Sequence, residues 1–436
     1  MLILVHSATN SGNVRQDLGK PEYSYYFVLK EYRCMLEEIG IVVEVADPAI
    51  EVDRIYSNCR KQGVPCVFLS FSPPNRTPIG LACPTIPVFA WEFDTIPSET
   101  FNGKPRNDWG RVLRHLGAAI THSQFAVDAV KRGVDGDYPV ISAPAPVWDR
   151  VQALRAAPLQ PVASQTTLKV DGMVIDSRET DLSPYNSSAL LAAHGSALPL
   201  PETRRLGTTE IVLDGVIYTS ILNPGDGRKN WKDLVQAFCM AFRDTADATL
   251  VLKLTHHDMS TAIPDMLESM HANFPFACRV LLVNGYLEQE DYEQLLLATS
   301  YAVNSSHGEG QCLPLMEYMS CGKPAVSPRH TAMLDYLDAD NAFLVDSWAQ
   351  PGAWPQDPRQ AFRTLWQRID FGSLVAAYRE SYQVAKTDPT RYAAMSTSAI
   401  SSLQRYCSHA AVTPMLGEFL RARVSGQGAP AAQFAD

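Results

Sequence analysis

Two carboxylates eight positions apart, Glu309 and Glu317, and two adjacent cations, Arg228 and Lys229, are the residues best placed to do chemistry. Glu309 lies in the loop Ser305–Gly310. Glu317 lies about one turn inside the helix that Pro314 opens and Gly322 ends, since proline suits a first helical turn and glycine the residue past the last. Both carboxylates then face one cleft, while the backbone N–H groups near Cys312, Leu313 and Leu315 point out of the helix end. Such a site offers donors to a pyrophosphate and acceptors to sugar hydroxyls. The second loop, Asn223-Pro-Gly-Asp-Gly-Arg-Lys-Asn230, also precedes a helix. Its glycines let backbone approach a ligand, Arg228 and Lys229 sit at the positive helix end, and Asn230 with Asp233 reads as an N-cap pair. The bland alternative is a surface turn with solvated cations.

Repeated strand and helix patterns must position these loops. Continuous apolar runs at Leu2–Val5, Ile41–Val45, Val64–Ser70, Ile86–Trp91 and Ala118–Thr121 alternate with amphipathic stretches over Glu22–Glu38 and, capped by Ser123, to Arg132. That alternation means a parallel sheet covered on both faces. It resumes after residue 213, with strands at Val216–Leu222, Thr249–Leu254, Val280–Val283, Tyr301–Asn304 and Ala325–Ser327. The expected layout is an acceptor-binding Rossmann-like domain over 1–150 and a partly β connection over 151–212. A ligand-binding Rossmann-like domain over 213–395, a helix over 396–424 returning toward the first domain and a flexible tail over 425–436 follow. Residues 360–423 read as helical. Lys169–Ile175 and Val212–Tyr218 each carry an Asp-Gly that suits a hairpin turn.

Composition narrows the function classes. With 436 residues the chain exceeds one ordinary core. Its 37 basic and 47 acidic residues give a net charge of −10, against non-specific binding to nucleic acid. No apolar run approaches the roughly 20 residues that cross a bilayer. The start, Met1–Asn10, reads as a buried strand and not a signal peptide. Nine cysteines without a Cys-x-x-Cys pair read as buried thiols in a reducing cytoplasm.

The Glu-x7-Glu pattern, set in GEGQCLPLMEYMSCGKPAV, resembles the donor-site signature of retaining glycosyltransferases of family 4, the group 1 nucleotide-sugar transferases of the GT-B fold. The likeness is strong over about 210–345, where GRKNWKDLVQAF resembles the family's phosphate loop and VNGYLEQEDYEQLLLATSYAVNSS the segment before the signature. It is weaker in Phe89–Pro97 and Ile120–Phe125. The resemblance implies two Rossmann-like doubly wound domains facing a cleft. It implies a nucleotide-diphosphate sugar as donor and a growing glycan or lipid-linked sugar as acceptor. No metal is expected, and the protein is cytoplasmic, at the inner face of the membrane if the acceptor is lipid-linked.

Residue by residue, the resemblance gives Glu309 the place next to the reacting sugar, Glu317 the ribose, and Lys229 the diphosphate. The family's earlier arginine is missing near Asn223, so Arg228 is its substitute. Gly310, Leu313 and Leu315 complete the donor side, and Gly310-Gln311-Cys312 stands where the family has Gly-Phe-Gly. Lys253 is placed to reach a phosphate or to cap the sheet edge, and Tyr286 to border the base. On the acceptor side Gly12 represents the family's first glycine loop. Trp91, Glu92 and Asp94 end a strand, where they stack and bond a sugar or else form an aromatic core edge. His122 is an acceptor contact or a core histidine. His256-His257-Asp258 carries the wrong local geometry for a metal. Rival readings are a sugar-nucleotide epimerase, a sugar phosphorylase, and a non-catalytic protein that keeps the fold.

Overall fold

The computed structural model describes residues 1–9, 23–134, 136–186, 188 and 198–425. The first domain is a six-stranded sheet in the order β2-β1-β3-β4-β5-β6, every pair parallel. Its strands are β1 (Leu2–Ser7), β2 (Ile41–Glu44), β3 (Cys66–Phe71), β4 (Thr85–Val88), β5 (Ala119–Thr121) and β6 (Val140–Ser142). Around it lie α1 (Tyr23–Ile39), α2 (Pro48–Lys61), α3 (Trp109–Leu116), α4 (Gln124–Gly133) and the single turn α5 (Val147–Arg150). In α1 the side chains of Tyr25, Val28, Leu29, Tyr32, Met35 and Leu36 are buried, the three-to-four spacing of one helix face. Ser123 caps α4, its hydroxyl accepting from the Ala126 N–H.

The second sheet is built from β7 (Ala163–Asp176), β8 (Thr208–Leu222), β9 (Ala248–Leu254), β10 (Arg279–Tyr286), β11 (Tyr301–Val303), β12 (Ala325–Pro328) and β13 (Ala342–Val345). Its parallel part runs β10-β9-β8-β11-β12-β13, so the strand order reverses between β8 and β11. Its first helices are α6 (Trp231–Ala241), α7 (Ala262–His271), α8 (Gln289–Ala298) and α9 (Leu313–Ser320).

The segment expected to connect the domains supplies β7 and the first half of β8. Strand β7 pairs antiparallel with β8 up to Asp171, then with β10 from Asp171 onward. Strand β8 leaves β7 at Gly215 and pairs with β9 from Val216. The two Asp-Gly pairs therefore mark changes of partner inside long strands and not hairpin turns. The reason is close backbone approach: a Cβ on Gly172 would lie 2.4 Å from the Asn284 carbonyl oxygen, and one on Gly215 (φ +81°) 2.2 Å from that of Asp247.

Strands β14 (Ser347–Ala353) and β15 (Phe362–Ile369) form an antiparallel ribbon, and β15 takes the start of the stretch expected to be helical from 360. Thr364 and Trp366 turn toward the first domain while Arg363 and Leu365 are exposed, a period of two that no helix can present. The helix begins only at α10 (Phe371–Thr387), where Asp370 accepts from the Ser373 N–H at 2.7 Å. Two helices follow, α11 (Pro389–Cys407) and α12 (His409–Ser425). One apolar cluster joins Ile3 and Leu36 of the first domain, Tyr318 and Met319 of α9, and Leu403 and Leu416 of the last two helices. The chain end thus returns to the first domain and the two domains share a core. Gly12 and residues 426–436 lie outside the described residues.

Candidate active site

A small cavity opens where the strand order reverses, at the C-terminal ends of β8 and β11 and the start of α9. Ser220, Lys229, Asn304, Glu309, Cys312 and Leu315 line it. This is the place where open α/β sheets bind ligands. Strand β8 feeds the loop carrying Arg228 and Lys229, and β11 feeds the loop carrying Glu309. The two loops are laced together. The His307 N–H donates to the Arg228 carbonyl at 2.7 Å, Arg228 Nη1 donates to the Gly308 carbonyl at 2.9 Å, and the Ser305 hydroxyl donates to the Asn230 carbonyl at 3.1 Å.

At the centre, Lys229 Nζ donates to Glu309 Oε1 at 2.7 Å. Burial acts against the Lys229 charge, but the adjacent Glu309 carboxylate outweighs it and holds the ammonium above its usual range. Arg228 lies beside this pair, with Nη2 2.6 Å from Asp226 Oδ2 and Nε 3.0 Å from Glu92 Oε1 of the first domain. Burial pushes the Glu92 carboxyl up despite that arginine. Glu309 is 4% exposed, and its main chain is pinned: its N–H donates to Thr331 Oγ1 at 3.0 Å and its carbonyl accepts from Ala332 at 3.2 Å.

Backbone strain concentrates here. Asn230, Cys312 and Thr331 have φ of 46°, 61° and 49°. Asparagine tolerates that region, but a left-handed conformation costs β-branched Thr331 about 1–3 kcal/mol. Asn230 does not cap α6 as expected; its amide instead donates to Asp233 at 2.9 Å and to the Ser305 carbonyl at 3.2 Å.

Glu317 lies on α9 with both oxygens engaged. Oε1 is 2.6 Å from Arg150 Nη2, and Oε2 accepts from the Tyr292 hydroxyl. Arg150 also reaches Glu31 Oε1 at 3.0 Å. Closure is tight, since a Cβ on Gly310 would lie 2.8 Å from Ala90 Cβ and 2.9 Å from the Trp91 nitrogen. Gln311 Oε1 accepts from the Ala145 N–H at 2.5 Å. Leu315 is buried at the helix start beside half-buried Leu313.

The remaining expected residues are scattered. Lys253, near the end of β9, is 7% exposed and donates to the Leu254 carbonyl at 3.2 Å; burial pulls its ammonium down to about 8. Tyr286 ends β10 half-exposed. Trp91 is buried, packed 4.5 Å from the Trp109 ring, with its indole N–H donating to the Thr95 carbonyl at 2.8 Å, so its faces are covered. Asp94 Oδ1 accepts from the Thr364 hydroxyl and the Leu365 N–H, each at 2.8 Å, and so fastens the ribbon. His122 is fully buried, bonded to the Ala143 carbonyl at 2.9 Å and held down to about 4 by burial. His256 and His257 stack on each other with ring centroids 4.5 Å apart. Sequence reasoning missed Arg150, Glu31, Tyr292, Thr331 and Asp226. Only Asp226 carried a local signal, its place between two glycines before Arg228.

Residues 214–357 match the model of a family described as "Glycosyl transferases group 1". No curated protein sequence matches the chain. Among solved structures, sucrose-phosphate synthase from Thermosynechococcus elongatus is 13% identical with a TM-score of 0.52, over 98% of this chain and 99% of that one. Anabaena Alr3699/HepE in complex with UDP and glucose is 12% identical with a TM-score of 0.50, over 97% and 100%. The S. aureus TarM G117R mutant in complex with Fondaparinux, alpha-GlcNAc-glycerol and UDP is 10% identical with a TM-score of 0.50, over 81% of this chain; the match spans 55% of TarM. The architecture is therefore GT-B: two Rossmann-like domains with a cleft between them. The residues similar to the group 1 family all lie in its second domain and the ribbon that follows.

Proposed function

We propose that the chain transfers a sugar from a nucleoside-diphosphate sugar to a glycan or lipid-linked acceptor, with retention of anomeric configuration, in polysaccharide or glycoconjugate synthesis. The observation that carries this reading is the Lys229–Glu309 pair, 2.7 Å apart, in the cavity at the strand-order reversal of a group 1 domain. Lys229 and Arg228 would meet the diphosphate together with the Leu313 and Leu315 backbone at the start of α9. Charge developing on the leaving diphosphate is stabilised there by groups already in place. No metal ion is needed in this scheme, and transfer that persists in EDTA is its expected consequence.

Glu309 would orient the donor sugar beside Gly310, which admits the close approach of Ala90 and Trp91 from the first domain. Glu317 would take the ribose, and Lys253 and Tyr286 would border the nucleoside. The acceptor hydroxyl would attack from the leaving-group side and pass its proton to the departing phosphate. Of the expected acceptor residues, Glu92 is the carboxylate that reaches Arg228 in the cleft. Among the described residues no helix is long and apolar enough to cross a membrane; a lipid-linked acceptor would be met at a membrane surface in the cytoplasm.

The test is a thermal-shift screen of nucleoside-diphosphate sugars. UDP-glucose comes first, because the HepE and TarM structures contain UDP. A ligand at 100 times its Kd adds about 2.7 kcal/mol of stability. If no member of the panel shifts the melting point, the reading fails.

A further inference from the structure

Three of the nine cysteines meet beneath α2 in an apolar cluster with Leu4, Val52, Tyr56 and Phe68. Cys66 opens β3, Cys83 stands two residues before β4, and Cys59 lies in the last turns of α2. Phe68 is paired with Thr85, and its N–H donates to the Pro84 carbonyl at 2.8 Å. Carried two residues back, that register sets Cys66 opposite Cys83. Neighbouring strands lie about 4.8 Å apart, inside the roughly 4.4–6.8 Å between Cα atoms that a disulfide spans. Cys83 is outside the ladder. It is held from α2 by Asp53, whose carboxylate accepts from the Ala82 and Cys83 N–H groups at 3.0 Å each.

The three thiols differ in character. The neighbouring Cys83 and then Cys59 thiols hold the Cys66 thiol below the usual range, whereas Cys83, whose thiol donates to the Pro84 carbonyl at 3.8 Å, is pushed far up by Cys66 and by burial. A thiol held below the usual range beside one held above it is the order of an attacking and a resolving cysteine. The described residues contain no group of three His, Cys, Asp or Glu side chains placed to hold a metal ion.

We propose that Cys66 and Cys83 form a reversible oxidation site for hydrogen peroxide. The Cys66 thiolate attacks one peroxide oxygen, the O–O bond breaks, and water leaves after one protonation, giving a sulfenic acid. The Cys83 sulfur then attacks the sulfenic sulfur, the S–O bond breaks, and a second water leaves with the Cys83 proton. Two thiols lose two electrons and peroxide is reduced to two waters; an external thiol reverses the step. Peroxide is small enough to enter through local opening of α2, where Cys59 is the outermost of the three at 8% exposure. The site is independent of the glycosyl-transfer reading.

The experiment uses the reduced full chain. It is treated with graded hydrogen peroxide, alkylated, digested and mapped by mass spectrometry. Exposed Cys34 reports that oxidant was present, and the buried Cys239–Cys278 contact serves as the comparison. The expected result is a linked peptide pair containing Cys66 and Cys83, lighter by two hydrogens and separated by dithiothreitol, while Cys239 and Cys278 remain alkylated. In Cys83→Ser, Cys66 should be trapped as a sulfenic acid by dimedone. If that variant does not fold, the wild-type map decides. Full alkylation of Cys66 and Cys83 at doses that oxidise Cys34, or a Cys59–Cys66 link, overturns the proposal.

Discussion

Arg150 of the first domain and Glu317 of the second meet at 2.6 Å, and the same guanidinium holds Glu31 at 3.0 Å. One cation thus neutralises two carboxylates whose side chains are only 10% and 11% exposed, across the seam between the domains. Burial raises Glu31, with Arg150 opposing it. The Tyr292 hydroxyl completes the set at Glu317 Oε2. Helix α9 is therefore anchored to α5 and α1 through charge as well as through the shared core.

Removing the cation should leave two nearly buried like charges. Arg150→Ala is expected to destabilise the protein by about 3 kcal/mol, at the low end for a buried pair because Arg150 is itself 27% exposed. Urea unfolding measures the loss, and a double-mutant cycle with Glu317→Gln isolates the pair. A coupling energy indistinguishable from zero would make the contact incidental.

Glu309→Gln should separate catalysis from binding. The wild-type carboxylate neutralises Lys229, so the amide frees that ammonium for a diphosphate. UDP affinity should hold or rise, while turnover falls by about 100-fold or more, as when one preorganised charge in a site is lost. Turnover within a factor of two of wild type removes Glu309 from the chemistry.

Acid should find the buried histidines. His122 and His330 are both held down to about 4, chiefly by burial. A histidine with a lowered folded pKa binds a proton more readily when unfolded. Its stability contribution is intact above its unfolded value of about 6.5 and is lost as pH falls toward 4. The full effect is about 3 kcal/mol for each residue. Melting temperatures of wild type and His122→Gln between pH 7 and 4 should converge as pH falls. Parallel curves would mean that His122 does not titrate in this window.

Transfer should survive chelation. Lys229, Arg228 and the start of α9 already place positive charge at the proposed diphosphate site. Glycosyl transfer is measured in EDTA and again with magnesium or manganese. Complete loss in EDTA with recovery on metal addition would replace the electrostatic scheme.

What the chain's pattern disclosed was local. Apolar runs marked the strands, Ser123 marked a cap, and the two strand-to-helix loops stood out through glycine, charge and acidic spacing. What it hid was pairing at a distance. Arg150 has no partner within its own turn, and its role appears only when α5 meets α9. Asp171-Gly172 and Asp214-Gly215 look like turns because Asp-Gly usually makes one; only the neighbouring backbones at Asn284 and Asp247 show why glycine is required. The ribbon Ser347–Ile369 was obscured by its proline-rich tip and its largely exposed, polar strands, and is fixed by Asp94 from the other domain.

Lys229 is proposed to face the donor's diphosphate. Calorimetric titration of UDP and of uridine into wild type and Lys229→Met tests it most directly, methionine keeping the packing of the stem. Wild type should bind UDP, and the variant should lose about 10- to 100-fold in UDP affinity, as expected for one charge-assisted bond to phosphate, with uridine affinity unchanged. Equal UDP affinity in the two proteins, or equal losses for UDP and uridine, would contradict it.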